Sequence, residues 1–174
     1  PRMAGFLASQ GPWEQLVSLN NIAVVELTEG EPVVLSPRVS VTPLRVPHRD
    51  EYSETVGFRV QGPDRSLLWL PDIDKWSRWD QSLRRVVQSV DLAFVDATFF
   101  DGAELPGRNM AEIPHPFVVE TLNEAQDWTP EERNRLRLIH LNHSNPALQD
   151  DSNARRVLDA AGVQVAEAGA VVPL

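Results

Sequence analysis

The sequence contains no cysteine. That excludes a disulfide framework, a thiolate-ligated metal and a cysteine nucleophile in this chain. No stretch of about 18 or more apolar residues occurs, so no transmembrane helix is expected. A clustered cationic surface is also missing. Sixteen Lys and Arg stand against 25 Asp and Glu, for a formal charge of −9, and the one dense basic group, Arg133 to Arg137, follows directly on Glu131 and Glu132. Phosphate-backbone binding needs the opposite balance, so no nucleic-acid partner is expected. There is no internal repeat, no low-complexity segment and no signal peptide at the start. The chain opens Pro1-Arg2-Met3 without an initiator Met, and its natural N-terminus is expected upstream. A cytoplasmic location fits these absences, although lack of cysteine is neutral about redox.

What is present suits a globular α/β chain. Of 174 residues, 42% are hydrophobic and 24% charged, ordinary values for a packed protein. Two short helices broken at Gly11-Pro12 are expected at the start, then extended segments over 22–27, 33–35 and 39–46. Residues 55–60 and 66–70 form a hairpin pattern across the turn Gly62-Pro63-Asp64-Arg65. A helix is expected over 76–89 and a short apolar strand from Asp91 running into Asp96. A long irregular stretch, 99–116, precedes a helix over 117–125. Thr129-Pro130-Glu131-Glu132 is a helix start, with Thr as N-cap and Pro in the first position. Residues 138–141 read as a strand, 152–161 as a helix closed by Gly162, and 163–165 and 170–172 as further strands. Alternating strands and helices indicate a layered α/β architecture.

Only four histidines occur, His48, His115, His140 and His143, each at a strand end or in a loop, where α/β folds place their chemistry. His48 lies in Val46-Pro47-His48-Arg49-Asp50-Glu51-Tyr52, which on its own is equally a solvated loop. Leu67-Leu68-Trp69-Leu70 delivers Asp72 to the end of a buried strand. A carboxylate there is costly unless paired, capped or metal-bound, and Asp72 and Asp74 could each serve as a helix N-cap instead. In Leu138-Ile139-His140-Leu141-Asn142-His143-Ser144-Asn145-Pro146, strand alternation points His140 and His143 to opposite faces. They are not a chelating pair, and if one is a ligand the other is structural.

Taken in order, these segments resemble the metallo-β-lactamase superfamily. Trp69-Leu70-Pro71-Asp72 and Leu141-Asn142-His143-Ser144 are similar to motifs of its phosphodiesterase branch, which includes ribonuclease Z-like and phosphonate-pathway cyclic phosphodiesterase members. Further segments bring the chain nearest to the pyrroloquinoline quinone biosynthesis protein B-like branch. They are the opening Pro1-Arg2-Met3 with Gly11-Pro12-Trp13, then His48-Arg49-Asp50-Glu51-Tyr52, Leu70-Pro71-Asp72-Ile73-Asp74, Asp96-Ala97-Thr98-Phe99-Phe100-Asp101-Gly102 and His143-Ser144-Asn145-Pro146.

The resemblance implies a fold and a site. The fold would be half of an αββα sandwich, a mixed sheet with flanking helices, and residues 1–174 would be the C-terminal portion of one such domain. His48, Asp72 and His143 would be metal ligands, Asp72 bridging two ions. His115, in Glu112-Ile113-Pro114-His115-Pro116, would act on the substrate, or else is a loop histidine packed between two prolines. Asp96 would support the site or cap the loop after its strand. Zinc is implied, two ions in an intact domain, with manganese or iron also accepted by a His/Asp site. Such a pair holds and activates a hydroxide for hydrolysis.

One departure is large: the superfamily's His-x-His-x-Asp-His string does not occur here. With three ligands shared between two ions, neither would have the three protein donors usual for catalytic zinc, so weak metal binding and little activity are expected of this stretch alone. The implied partners are a small-molecule or peptide-derived substrate and the missing N-terminal half, with no membrane, and homo-oligomerisation open. A second reading is a non-catalytic interaction or assembly half-domain, in which the His and Asp residues are remnants and some of the five tryptophans serve an interface.

Overall fold

A computed structural model describes residues 2–51 and 53–174. Pro1 and Tyr52, both part of the motif segments above, lie outside the described residues. Two helices, α1 (Arg2–Ser9) and α2 (Trp13–Ser18), lead into β1 (Val33–Ser36), β2 (Val39–Val46), β3 (Thr55–Gln61) and β4 (Ser66–Leu70). Next come α3 (Leu83–Gln88), β5 (Leu92–Asp96), α4 (Val118–Glu124), α5 (Pro130–Arg133), β6 (Leu136–Ile139), α6 (Asn153–Ala161) and β7 (Gln164–Val165). All seven strands form one sheet in sequence order. β1 to β4 pair antiparallel and β4 to β7 parallel. Connection length explains the change: the four-residue turn after β3 can only reverse the chain, whereas helices carry it back for each parallel strand. The result is the expected mixed α/β sheet with helices.

One consequence of this topology builds the site. β2 and β4 are both antiparallel to β3, so they run the same way, and β5 and β6 are parallel to β4. The C-terminal ends of β2, β4, β5 and β6 therefore share one edge, the edge where α/β sheets gather function.

Alternation along the strands sorts the two faces. Leu68 and Leu70 of β4, Ala93 and Val95 of β5, and Leu136 and Leu138 of β6 are fully buried in one core with Val87, Val118, Trp128 and Leu158. On the opposite face Trp69 is 43% exposed, and its ring lies 5.5 Å from that of Phe94. At roughly 1.5–3 kcal/mol per fully buried aliphatic side chain, the helix-covered face carries most of the apolar stabilisation.

Several boundaries differ from expectation, for local reasons. The helix expected over 76–89 is a single 3₁₀ turn, Trp76–Arg78, followed by α3, whose N-cap is Ser82. The Ser82 hydroxyl accepts from the Arg85 amide, so the α-helix starts there, and neither Asp72 nor Asp74 acts as a cap. Residues 22–27 and 170–172 form no strand. By contrast Thr129 is the N-cap expected at α5, joined by Glu132 in a reciprocal cap, and Gly162 closes α6 at φ 71°.

Candidate metal centre

Each element of the shared edge contributes one group. β2 ends at Val46, and two residues on His48 turns inward with its side chain 10% exposed. β4 ends at Leu70 and is followed by Asp72. β5 ends on Asp96 itself. β6 ends at Ile139, and His140 takes φ 61°. That left-handed conformation, which His adopts more readily than most residues, breaks the alternation assumed along 138–144. His140 thus turns toward the other groups, although strand parity had set it aside.

Asp72, Asp96, His115 and His140 each offer one donor atom, and these atoms all lie within 4.8 Å of one another. His48 adjoins them, its ring centroid 5.5 Å from that of His115. His143 is exposed and outside the group of four. Of the residues singled out in the sequence, the structure places Asp72, Asp96 and His115 together with His48 beside them, adds His140, and does not bring His143 to the group. The signal that could have found His140 is its place as the first residue after the apolar run of β6, the position Asp72 and Asp96 occupy near the ends of β4 and β5.

Asp96 is the most buried of these groups. Its Oδ1 accepts from the Thr98 amide at 2.9 Å and the Thr98 hydroxyl at 2.7 Å. Its Oδ2 accepts from the Ile73 amide at 3.2 Å and lies 2.7 Å from His115 Nδ1. Burial pushes the Asp96 carboxyl up, but its contacts with His115 and His140, with Thr98 adding to them, outweigh burial and hold it below the ordinary carboxylate range. His140 is shifted the other way. The pull of Asp96, whose Oδ1 is 3.7 Å from His140 Nδ1, raises it against a smaller burial effect, with Asp72 adding to the rise.

Asp72 Oδ1 is different. It is buried and has no hydrogen-bond partner, although His48 Nε2 is 3.2 Å and His115 Nδ1 3.5 Å away. A buried carboxylate oxygen with no donor is costly, and its two imidazole neighbours, with His140 close by, are good ligands for a divalent ion. The donor set, two carboxylates and two imidazoles with His48 beside them, fits such an ion and exceeds the three protein donors of a catalytic zinc.

His115 is delivered by the irregular stretch before α4. Its base is pinned where the Val118 amide donates to the Phe99 carbonyl at 2.9 Å, and it carries its own apolar cluster of Phe99, Met110 and Ile113. Asn109 caps a 3₁₀ turn, Met110–Glu112, inside it. Glu104 ties the stretch across to Ser144 and accepts from the Phe100 amide.

A profile of the beta-lactamase superfamily domain matches residues 1–141. The chain belongs to that superfamily. Coenzyme PQQ synthesis protein B of Gluconobacter oxydans (strain 621H) is 29% identical over 121 residues, covering 67% of this chain and 39% of its own length. The protein of the same name from Pseudomonas fluorescens (strain Pf0-1) is 29% identical over 170 residues, covering 86% and 54%. The resemblance to the pyrroloquinoline quinone biosynthesis protein B-like branch therefore holds, and the chain spans about half the length of the curated relatives it matches. Among solved structures, Zn(2+)-bound PqqB from Methylobacterium extorquens superposes with a TM-score of 0.75 at 20% identity, over 100% of this chain and 60% of that one. The metallo-beta-lactamase fold protein YhfI from Bacillus subtilis gives 0.54 at 16%, over 90% and 58%. Both likenesses establish the fold. No helix among the described residues is long and apolar enough to cross a membrane.

Proposed function

We propose that this chain carries the metal-holding edge of a metal-dependent hydrolase of phosphodiesterase type, working in the quinone-cofactor synthesis after which its curated relatives are named. Asp72 Oδ1 is the observation that carries this reading, a buried acceptor beside two imidazoles with no hydrogen bond of its own. A cation is what stabilises an oxygen so placed. Asp72, His115 and His140 would hold a divalent ion, with His48 facing the same oxygen and Asp96 behind; zinc, manganese and ferrous iron all suit these donors. Bound there, the ion would polarise a substrate oxygen and supply a nucleophile from water.

The residues have work of their own. Asp96 fixes the His115 ring through Nδ1, which leaves Nε2 to bind a cation or exchange a proton with substrate. Thr98 Oγ1, 3.1 Å from His140 Nδ1 and 3.3 Å from His115 Nδ1, keeps both rings in register with Asp96.

Elemental analysis of the purified, dialysed chain, paired with hydrolysis of a model phosphodiester, tests the reading. Bound divalent metal in the wild type, lost in Asp72→Ala, is expected. A wild type that retains no zinc, manganese or iron overturns it.

A second reading, an interaction half-domain, has its own observation. Residues 2–36 include no buried side chain, yet Met3, Phe6, Trp13, Leu19, Val25 and Leu35 are exposed there. Apolar surface of that kind is covered in a finished assembly. In this reading a further polypeptide layer packs on residues 2–36, and the His and Asp residues of the shared edge are remnants. Light scattering of the chain alone tests it: a strictly monomeric chain that binds no apolar dye overturns the reading.

A further inference from the structure

His48 stands between two carboxylates that leave β4 two residues apart. Its Nε2 is 3.2 Å from Asp72 Oδ1, and its Nδ1 is 3.0 Å from Asp74 Oδ1. Only the second contact has hydrogen-bond geometry. Asp74 is itself held on two sides. Its amide donates to the Pro47 carbonyl at 2.7 Å, tying the residue before His48 to the residue that grips it. Its other oxygen, Oδ2, accepts from Arg78 Nη1 at 2.8 Å. The side chains of His48 and Asp74 are 10% and 8% exposed, whereas that of Arg78 is 64% exposed.

From this geometry we infer that Asp74, backed by Arg78, is a positioning residue that sets the tautomer and direction of His48. A carboxylate paired with a guanidinium only accepts, so the proton of a neutral His48 ring sits on Nδ1. Nε2 then carries the lone pair, 3.2 Å from the unpartnered oxygen of Asp72. Two acceptors face each other there, an arrangement that a cation between them makes favourable. A carboxylate on the far nitrogen also fixes the plane of a ligating imidazole, as in other metal sites. The chain thus spends both carboxylates of Pro71-Asp72-Ile73-Asp74 on one histidine, the first toward the site and the second behind it. Ile73, fully buried between them, anchors the spacing.

This inference rests on the reading of His48 as facing a metal site, so its test has an arm that needs no metal. In the ¹⁵N-labelled chain, long-range ¹H–¹⁵N spectra report the tautomer of each imidazole, and His48→Ala assigns the His48 signals. An Nδ1–H tautomer is expected for His48 in the wild type, redistributed in Asp74→Ala. Zinc affinity, measured by chelator competition at one pH, is expected to fall about 10–100-fold in Asp74→Ala. Asp74→Asn, which keeps an acceptor, should recover part of that loss, and Arg78→Ala should cost less than Asp74→Ala. In a His48→Ala background, Asp74→Ala should add no further loss.

An equal loss in that background overturns the inference, because Asp74 would then be acting on the fold rather than through His48. So does a His48 tautomer indifferent to Asp74. If the wild type binds no zinc, the metal reading fails by itself and the tautomer comparison still decides the role of Asp74. If Asp74→Ala does not fold, Asp74→Asn and the surface substitution Arg78→Ala carry both measurements, and no change in either overturns the inference.

Discussion

His115 Nδ1 and Asp96 Oδ2 meet at 2.7 Å, joining a histidine from an irregular stretch to the last residue of a central strand. The contact decides where His115 sits, because the stretch has little regular structure of its own. It also satisfies one of the most buried charges in the chain, since Asp96 is 0% exposed.

Removing that carboxylate should therefore cost more than a surface ion pair. Asp96→Ala leaves the amides of Ile73 and Thr98 without their acceptor and His115 without its partner. A destabilisation on the order of 3–5 kcal/mol is expected for breaking a buried paired group, read from urea unfolding. A loss below about 1 kcal/mol would mean that water replaces the carboxylate readily.

The two histidines of the 138–146 segment make opposite predictions. His140 offers a donor within 4.8 Å of Asp72, Asp96 and His115, and His143 lies outside that group. His140→Ala should lower zinc affinity at least tenfold, while His143→Ala should leave it unchanged, as measured by chelator competition. The reverse order would return the ligand role to His143.

Acid should unfasten α3 from α5. Glu132 accepts from Arg84, from Gln88 and from the Thr129 amide, and these bonds, that of Arg84 first, pull its carboxyl from 4.5 down to about 2. A group depressed on folding adds stability above its unfolded value and loses it as pH falls through the folded one. Glu132 therefore contributes fully above about pH 4.5, and its contribution fades between there and about pH 2. Urea midpoints over this window should fall less steeply in Glu132→Gln than in the wild type.

Two glycines are required for different reasons, and alanine at each should destabilise. At Gly57 a Cβ would come 2.8 Å from Leu70 Cδ1 and 3.1 Å from the Trp69 carbonyl oxygen. Backbone cannot yield there, so Gly57→Ala should cost about 1–3 kcal/mol, as overpacking does. Gly162 has open space but φ 71°, and Gly162→Ala should cost about 1–2 kcal/mol for the left-handed conformation alone. Thermal melts of both variants check the ranking.

Much of this was legible in the sequence because the signals are local. Short apolar runs in 66–70 and from Asp91 to Phe94 located β4 and β5, Thr129-Pro130 located a cap, Gly162 located a helix end, and the Pro71-Asp72 step marked a carboxylate leaving a buried strand. The order of His48, Asp72 and His143 carried the superfamily resemblance, and the superfamily match over residues 1–141 covers the first two of them.

What the sequence alone determined, then, was the family, the mixed α/β architecture and the set of strand ends at which chemistry would gather. The layered α/β pattern and the strand ends follow from hydrophobic period and turn chemistry, which act over a few residues, whereas the family and the mixed sheet came from the resemblance of the motif segments. Only the tertiary structure decided which side chains meet there. A single left-handed residue after β6 turned His140 inward, and the pairing of β4, β5 and β6 set Asp72, Asp96 and His115 side by side. Those outcomes depend on backbone torsion at one position and on register between strands far apart in sequence, and neither leaves a periodic trace in the amino acids.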